Sequence, residues 1–576
     1  MISKINKTIS ACLAGCAISA VTASCGDFLE IESPNEITLE QFWNEKADVD
    51  AVVAGCYSRM QHSDIVRRMM VWGEFRSDNI AISPMLANND ENLKKVLNEN
   101  LDASNAYTAW DGFYNIINRC NTVMRYAPDV AAKDPAFTQT ELYATIAEVT
   151  ALRDLCYFYL IRTFRDVPLM TEAIIDDDQE IAVAATPFDQ VLDFLITDLE
   201  RVKGDAIKKY PTTKKNYQRG RITQDAIKAM LCDMYLWKGD YQQCIRYADE
   251  IIESKKNDQQ SDRSLSSMLV SAADNVKRLN GYPLVTDVLM SNYYGNAYSS
   301  IFGSGDSPET IFELVFEKGS GTSRLSNEAV NAFYGYANTQ GWVQPSSVLT
   351  ETSSTPYKNK YDARGWENLS TSAEIIQKYV YDNIRLYAAD TNNDPTMSTR
   401  FSSYARDQNK SNWVIYRLSD IMLMKAEALA ELTREGTDEA TVAYNKPYLE
   451  QAFSLVSAIN KRSLAETPMV DTLKPTSYMT KAAMTKLVME ERHRELMFEG
   501  KRYYDLVRQA RRSGESTQLA TTVSAKQSSG GGYVRNKLSK IDAIYWPYNL
   551  DELKVNPNLK QNPAFGSGEN QSYSKN

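Results

Sequence analysis

The stretch from Thr223 to Ser254 constrains the fold more than any other part of this chain. Thr223 is a good helix N-cap, and Ala226, Ala229, Met230, Tyr235 and Leu236 follow it mostly at helical spacing. Gly239-Asp240 makes a tight turn. Tyr241, Cys244, Ile245, Ala248 and Ile251 then form a second apolar stripe. Two short helices joined in this way cannot bury their apolar faces alone, so the unit demands neighbours of its own kind. A second candidate pair is Tyr416 to Leu432 and Tyr448 to Asn460.

These pairs resemble tetratricopeptide (TPR) units, with degenerate repeats. Further helices are predicted over Ala47 to Gln61, Trp110 to Arg125 and Glu141 to Phe164, the last stopped by Asp166-Val167-Pro168. Thr186-Pro187 opens another that runs to about Val202. From Ser261 to Asn412 the texture changes: Gly, Ser, Asn and Tyr rise and helical periodicity fades. Ile311 to Phe316 reads as a strand there. Long irregular stretches inside a compact protein are functional or disordered. Lys526 to Gly532 reads as a flexible loop. The predicted class is mainly α, a TPR-like helical scaffold with a loop-rich subdomain containing small strands.

The N-terminus sets the compartment. Lys4 and Lys7 precede an uncharged apolar run, Ile9 to Ala23, and then Ser24-Cys25-Gly26. That is the grammar of a secretory signal peptide, with an apolar run too short to span a bilayer. The Cys at its end resembles a lipobox, with Thr22 where Leu is commonest; an ordinary signal peptide with a chance Cys is the alternative. Lipidation of Cys25 would anchor the mature chain by its acyl groups. The expected divisions are 1–24 signal peptide, 25–260 N-terminal helical region, 261–412 loop-rich ligand-binding insertion and 413–576 C-terminal helical region.

Several chemistries find no support. The formal charge of −10, from 74 acidic and 64 basic residues, argues against a nucleic-acid partner. His62 and His493 are the two histidines, too few for a His-based catalytic site or metal cage. Asp390, Asn392 and Asp394 alternate as in a calcium loop, but Pro395 and Phe401 stand where Gly and Glu are needed. Cys56, Cys120, Cys156, Cys232 and Cys244 lie mostly in apolar helical patterns, which fits buried thiols better than a disulfide framework. Glu490 and Arg494, and Glu499 and Arg502, are spaced to pair along one helix. Interleaved opposite charges of that kind brace a helix rather than catalyse. No cofactor, metal or catalytic group is expected.

Motifs shared in order along the chain complete the reading. They begin with Cys25-Gly26-Asp27-Phe28-Leu29, Phe42-Trp43 and Gly55-Cys56-Tyr57, followed by Trp110, Tyr114, Ile117, Asn118 and Asn121. Ala151-Leu152-Arg153-Asp154 and Tyr416 to Asp420 come next. The most specific run is Glu491 to Arg502 with Asp505-Leu506-Val507-Arg508, and the close is Trp546-Pro547, Asn556-Pro557 and Gln561-Asn562-Pro563. In this order they resemble the SusD/RagB family of outer-membrane nutrient-binding lipoproteins. Arg165-Asp166 departs from the family's more usual Gly-Asp.

The resemblance implies a right-handed TPR-type scaffold that binds glycans, or in some branches peptides, without catalysis. It implies a lipoprotein on the outer face of the outer membrane that passes ligand to a SusC-type TonB-dependent transporter. It also implies ligand contacts after the first helix pair, where this chain has Trp72, Arg76, Asp78 and Asn79. Independently, loop aromatics beside amides suit sugars, because a ring offers a rigid apolar face and amides bond hydroxyls. Tyr293, Tyr294 and Tyr298 beside Asn292, and Tyr334, Tyr336 and Trp342 beside Asn338 and Gln340, are the candidates. Four functions stay open: a glycan receptor, a peptide receptor, a lipid-anchored glycosidase and a protein-binding adaptor.

Overall fold

The computed structural model describes residues 42–87, 89–176, 178–214, 216–261, 279–285, 293–294, 296–316, 326–336, 339–359, 361–387, 398–403, 409–464 and 473–566. The expected signal peptide, Cys25 and the calcium-like Asp390, Asn392 and Asp394 lie outside these residues.

The predicted helices form, and further helices join them. They are α1 Lys46–Met60, α2 Ser63–Met70, α3 Asp111–Lys133, α4 Gln139–Phe164, α5 Phe188–Val202, α6 Gln224–Lys238 and α7 Tyr241–Ser261. After the irregular region come α8 Leu418–Glu431, α9 Glu439–Ser463, α10 Lys481–Leu496, α11 Arg502–Ser513, α12 Thr517–Ser524 and α13 Gly531–Leu538. α3 runs eight residues past its expected end, α9 starts nine before its expected start, and the further helices include α2 and α11 to α13. Local chemistry explains their ends. Thr138 and Glu141 form a reciprocal capping box on α4, and Thr223 caps α6 by accepting from the Ala226 amide. Arg165 ends α4 at φ +72°, a conformation that a glycine would adopt without strain; salt bridges to Asp166 and Asp542 hold it there.

Helices stack in sequence. α1 packs on α3, α3 on α4, α4 on α5, α5 on α6 and α6 on α7. α7 then packs on α8, and α8 on α9 and α10. The stack therefore continues from α7 to α8 as though the intervening residues were an excursion. One apolar core runs through α1 to α6 and into the irregular region, and a second is centred on α8, α9 and α10.

The predicted strand forms as Thr310–Leu314, antiparallel to Trp413–Arg417. That pairing corrects one expectation: Tyr416 belongs to a strand, and its helix starts at Leu418. The five cysteines among the described residues are free and buried, with Cys232 and Cys244 sulfurs 3.6 Å apart and Cys56 and Cys120 3.9 Å apart.

Glu499 lies beyond the end of α10, so the expected Glu499–Arg502 pairing along one helix is not made. Long-range ion pairs replace it. Arg417 bonds Glu495 and Glu499, Lys378 bonds Glu499, and Arg364 bonds Glu491 and Glu495. Arg502 instead bonds Asp78. Buried carboxylates must be paired, and here most of the cations come from outside α10, Arg494 on Glu491 being the pairing within it.

Candidate functional site

The expected ligand contacts after the first helix pair are interior groups. Trp72 is fully buried, stacks on Phe113 with centroids 4.8 Å apart, and donates Nε1–H to the Tyr107 carbonyl. Arg76 is fully buried against Glu99, donates to the carbonyls of Ala543 and Ile544, and lies between the rings of Tyr503 and Trp546. Asp78 accepts from Arg502, whose cation holds its carboxyl well below the usual carboxylate range against burial. Asn79 donates to Glu74 Oε1, and its backbone carbonyl accepts from Ser346. With no exposed surface, these four side chains join the N-terminal helices to the C-terminal part and present nothing to a ligand.

Two of the loop aromatics are also core. Tyr298 is buried and donates to the carbonyls of Gln377 and Tyr381. Tyr334 is buried and donates to the Phe498 carbonyl. Tyr293 and Tyr294 form a short strand beside Leu386 and Tyr387; their side chains lie outside the description.

Tyr336 and Trp342 are different, being half-buried on the same loop. Gly335–Tyr336 pairs with Thr339–Gln340. The backbone closes tightly there: a Cβ on Gly335 would lie 2.1 Å from the Thr339 carbonyl oxygen, and one on Gly341 2.2 Å from that of Phe333. Val343–Pro345 pairs antiparallel with Ile80–Ile82, and the Trp342 carbonyl accepts from the Ser83 amide. The site is thus built from the loop after the first helices and the Gly335–Pro345 segment.

Around Trp342 the groups are of two kinds. Its ring meets Phe333 edge-on at 5.9 Å, and the Arg67 guanidinium lies 5.3 Å from its centroid and 5.6 Å from that of Phe333. Arg67 Nε is buried without a hydrogen-bond partner. Beside it Gln340 donates to Gln344 Oε1 at 3.0 Å and to the Glu374 carbonyl at 3.1 Å, and Gln344 donates to the Glu374 carboxylate at 3.3 Å. Met85 stands on the turn after Ser83, 48% exposed. An aromatic ring with a cation over it and amides two residues to either side along the chain can stack on an apolar face and exchange hydrogen bonds with hydroxyls. Arg67, Gln344 and Glu374 were missed by sequence reading. Arg67 sits mid-helix, and Glu374 lies some thirty residues from the pair it joins.

The profile described as the SusD family matches residues 394–565, and one described as starch-binding associating with outer membrane matches residues 27–236. The chain is 25% identical over 565 residues to a SusD-like protein of Formosa agariphila, covering 95% of this chain and 96% of that one. A second SusD-like protein of that organism is 22% identical over 572 residues, covering 95% and 96%. Among solved structures, a SusD superfamily protein from Bacteroides thetaiotaomicron superposes with a TM-score of 0.59 at 20% identity, covering 91% of this chain and 99% of that one. A laminarin binding SusD-like protein also gives 0.59, at 19% identity, covering 90% and 100%. At these identities the structural likeness is one of fold.

Proposed function

The chain belongs to the SusD/RagB family, and from that membership we propose that it is a non-catalytic glycan receptor. It captures an oligosaccharide on the Trp342 surface and passes it to a SusC-type TonB-dependent transporter. The observation that carries this reading is the half-buried Trp342 beside Gln340, Gln344 and Glu374. A neutral sugar needs such a ring to stack on and such amides for its hydroxyls. The laminarin-binding structural neighbour supports a glycan over a peptide.

The description of the N-terminal profile supports association with the outer membrane. Among the described residues no helix is long and apolar enough to cross a membrane. In this reading Cys25 carries the lipid, the protein faces outward, and the 261–412 segment supplies most of the ligand surface. Glu491, Glu495 and Glu499 are buried and ion-paired, so none offers a carboxylate to a glycosidic bond.

The test is isothermal titration of the chain without its first 25 residues against laminarin, starch and host-mucin glycans. One glycan should give saturable heat without shortened products. Trp342→Ala should weaken it by about 2 kcal/mol, roughly 30-fold in Kd. Equal binding by Trp342→Ala would remove this surface from the reading, and shortened sugars would replace the receptor with an enzyme.

A further inference from the structure

A cleft of about 290 Å³ lies between α3, the segment after α4 and the C-terminal residues, and it shares no residue with the Trp342 surface. Trp110, Tyr114, Met170, Ile174 and Leu559 make its apolar lining. Its amides are already engaged. Asn118 both donates to and accepts from the Ile174 backbone, Asn121 donates to the Met170 and Glu172 carbonyls, and Asn556 donates to the Val183 carbonyl. They brace the walls and leave an interior with few free hydrogen-bonding groups, poorly suited to a sugar.

The rim adds two observations. Ile181 and Val555, both lining the cleft, are 60% and 66% exposed, an apolar lip that water must cover in the isolated chain. Glu552 stands in the cleft with its carboxylate beside the Trp110 indole. Burial, with the like charges of Asp111 and Asp551, raises its pKa, and among the described residues no cation pairs with it. Glu172 adds a second acidic group to the lining. The opening therefore favours a positive group on an apolar stem.

We propose that this cleft is the docking pocket for a partner polypeptide, whose segment inserts a large apolar side chain and sets an adjacent arginine or lysine on Glu552. Apolar anchors filling a pocket inside a polar rim are how protein interfaces concentrate their affinity. The carboxylate supplies selectivity, because an acidic residue in the same place would meet Glu552 and Glu172.

The probe is an array of acetylated, amidated hexapeptides with Phe, Leu or Ser at one central position and Arg, Gln or Glu at the next. The best binder, labelled with fluorescein, is then titrated by polarisation. Phe-Arg or Leu-Arg peptides should saturate below about 1 mM. Glu552→Lys and Ile181→Asp should each weaken binding by about tenfold, while Trp342→Ala leaves it unchanged. Both variants lie at exposed or half-exposed positions, and matched melting curves confirm that they fold. Failure of every peptide to saturate, equal binding of Gln or Glu peptides, or no effect of Glu552→Lys would overturn the proposal. Sedimentation showing a dimer that Glu552→Lys abolishes would give the cleft to a second copy of the chain and overturn it as well. None of these outcomes bears on glycan binding at Trp342.

Discussion

Asn79 donates its amide hydrogen to Glu74, so its oxygen is left to accept from His493, and this sets the imidazole tautomer with the proton on Nε2. Burial and the Arg502 and Arg494 cations, against Asp78, push the His493 pKa down to about 3. In the unfolded chain it is near 6.5. Between these values the unfolded chain binds a proton that the folded chain does not. The contribution is therefore complete above about pH 6.5 and lost as pH falls toward 3. Urea midpoints at pH 7 and pH 4 should show His493→Gln losing less stability than the parent, by on the order of 2–3 kcal/mol. Equal losses would mean that His493 is protonated in the fold. Glu74 makes a second case. Its oxygens accept from Asn79 and from the amides of Phe498, Lys501 and Arg502. Glu74→Gln must turn an NH₂ toward donors whichever way it faces, and at pH 8 it should cost about 2–3 kcal/mol by urea denaturation.

Elements meet closely where the backbone of Val71–Phe75 touches the link between α10 and α11. A Cβ on Gly73 would lie 1.9 Å from the Gly500 carbonyl oxygen, so the two segments must separate to admit one. Gly73→Ala should lower stability by about 2–3 kcal/mol, as overpacking does, read as a fall in melting temperature. An unchanged melt would show that the contact is slack. Helices such as α6 and α7 were legible because each carries its own cap, stripe and turn within some thirty residues. α3 ran past expectation, to Lys133 through Pro128, because its burial continues to Val130. Trp72 to Asn79 was not legible as core. Its polar side chains find partners such as Glu99, Arg502 and Ile544 that no local spacing announces. The Trp342 surface was half legible: the aromatics stand out in a loop, while Arg67 and Glu374 arrive by tertiary folding.

At the scale of the molecule, the ends of the chain interlock. Trp546 donates its amide hydrogen to the Thr163 carbonyl, Tyr548 bonds the Asp166 carbonyl, Lys526 reaches the Phe75 carbonyl, and Asn549 bonds Thr108. The N-terminal helices and the last hundred residues should therefore unfold together. Tryptophan fluorescence and far-UV circular dichroism should trace coincident urea transitions, and two separated steps would contradict this. The same interlocking has a consequence in time. A ribosome makes Arg76 long before it makes Ala543 and Ile544, whose carbonyls that guanidinium needs. Until they arrive, the cation and the face it closes stay open. A chain cut short before Ala543 would keep that face open for good, and proteases would meet an unfinished molecule. Ala543 and Ile544 act in this way as a late-arriving latch on a face made early.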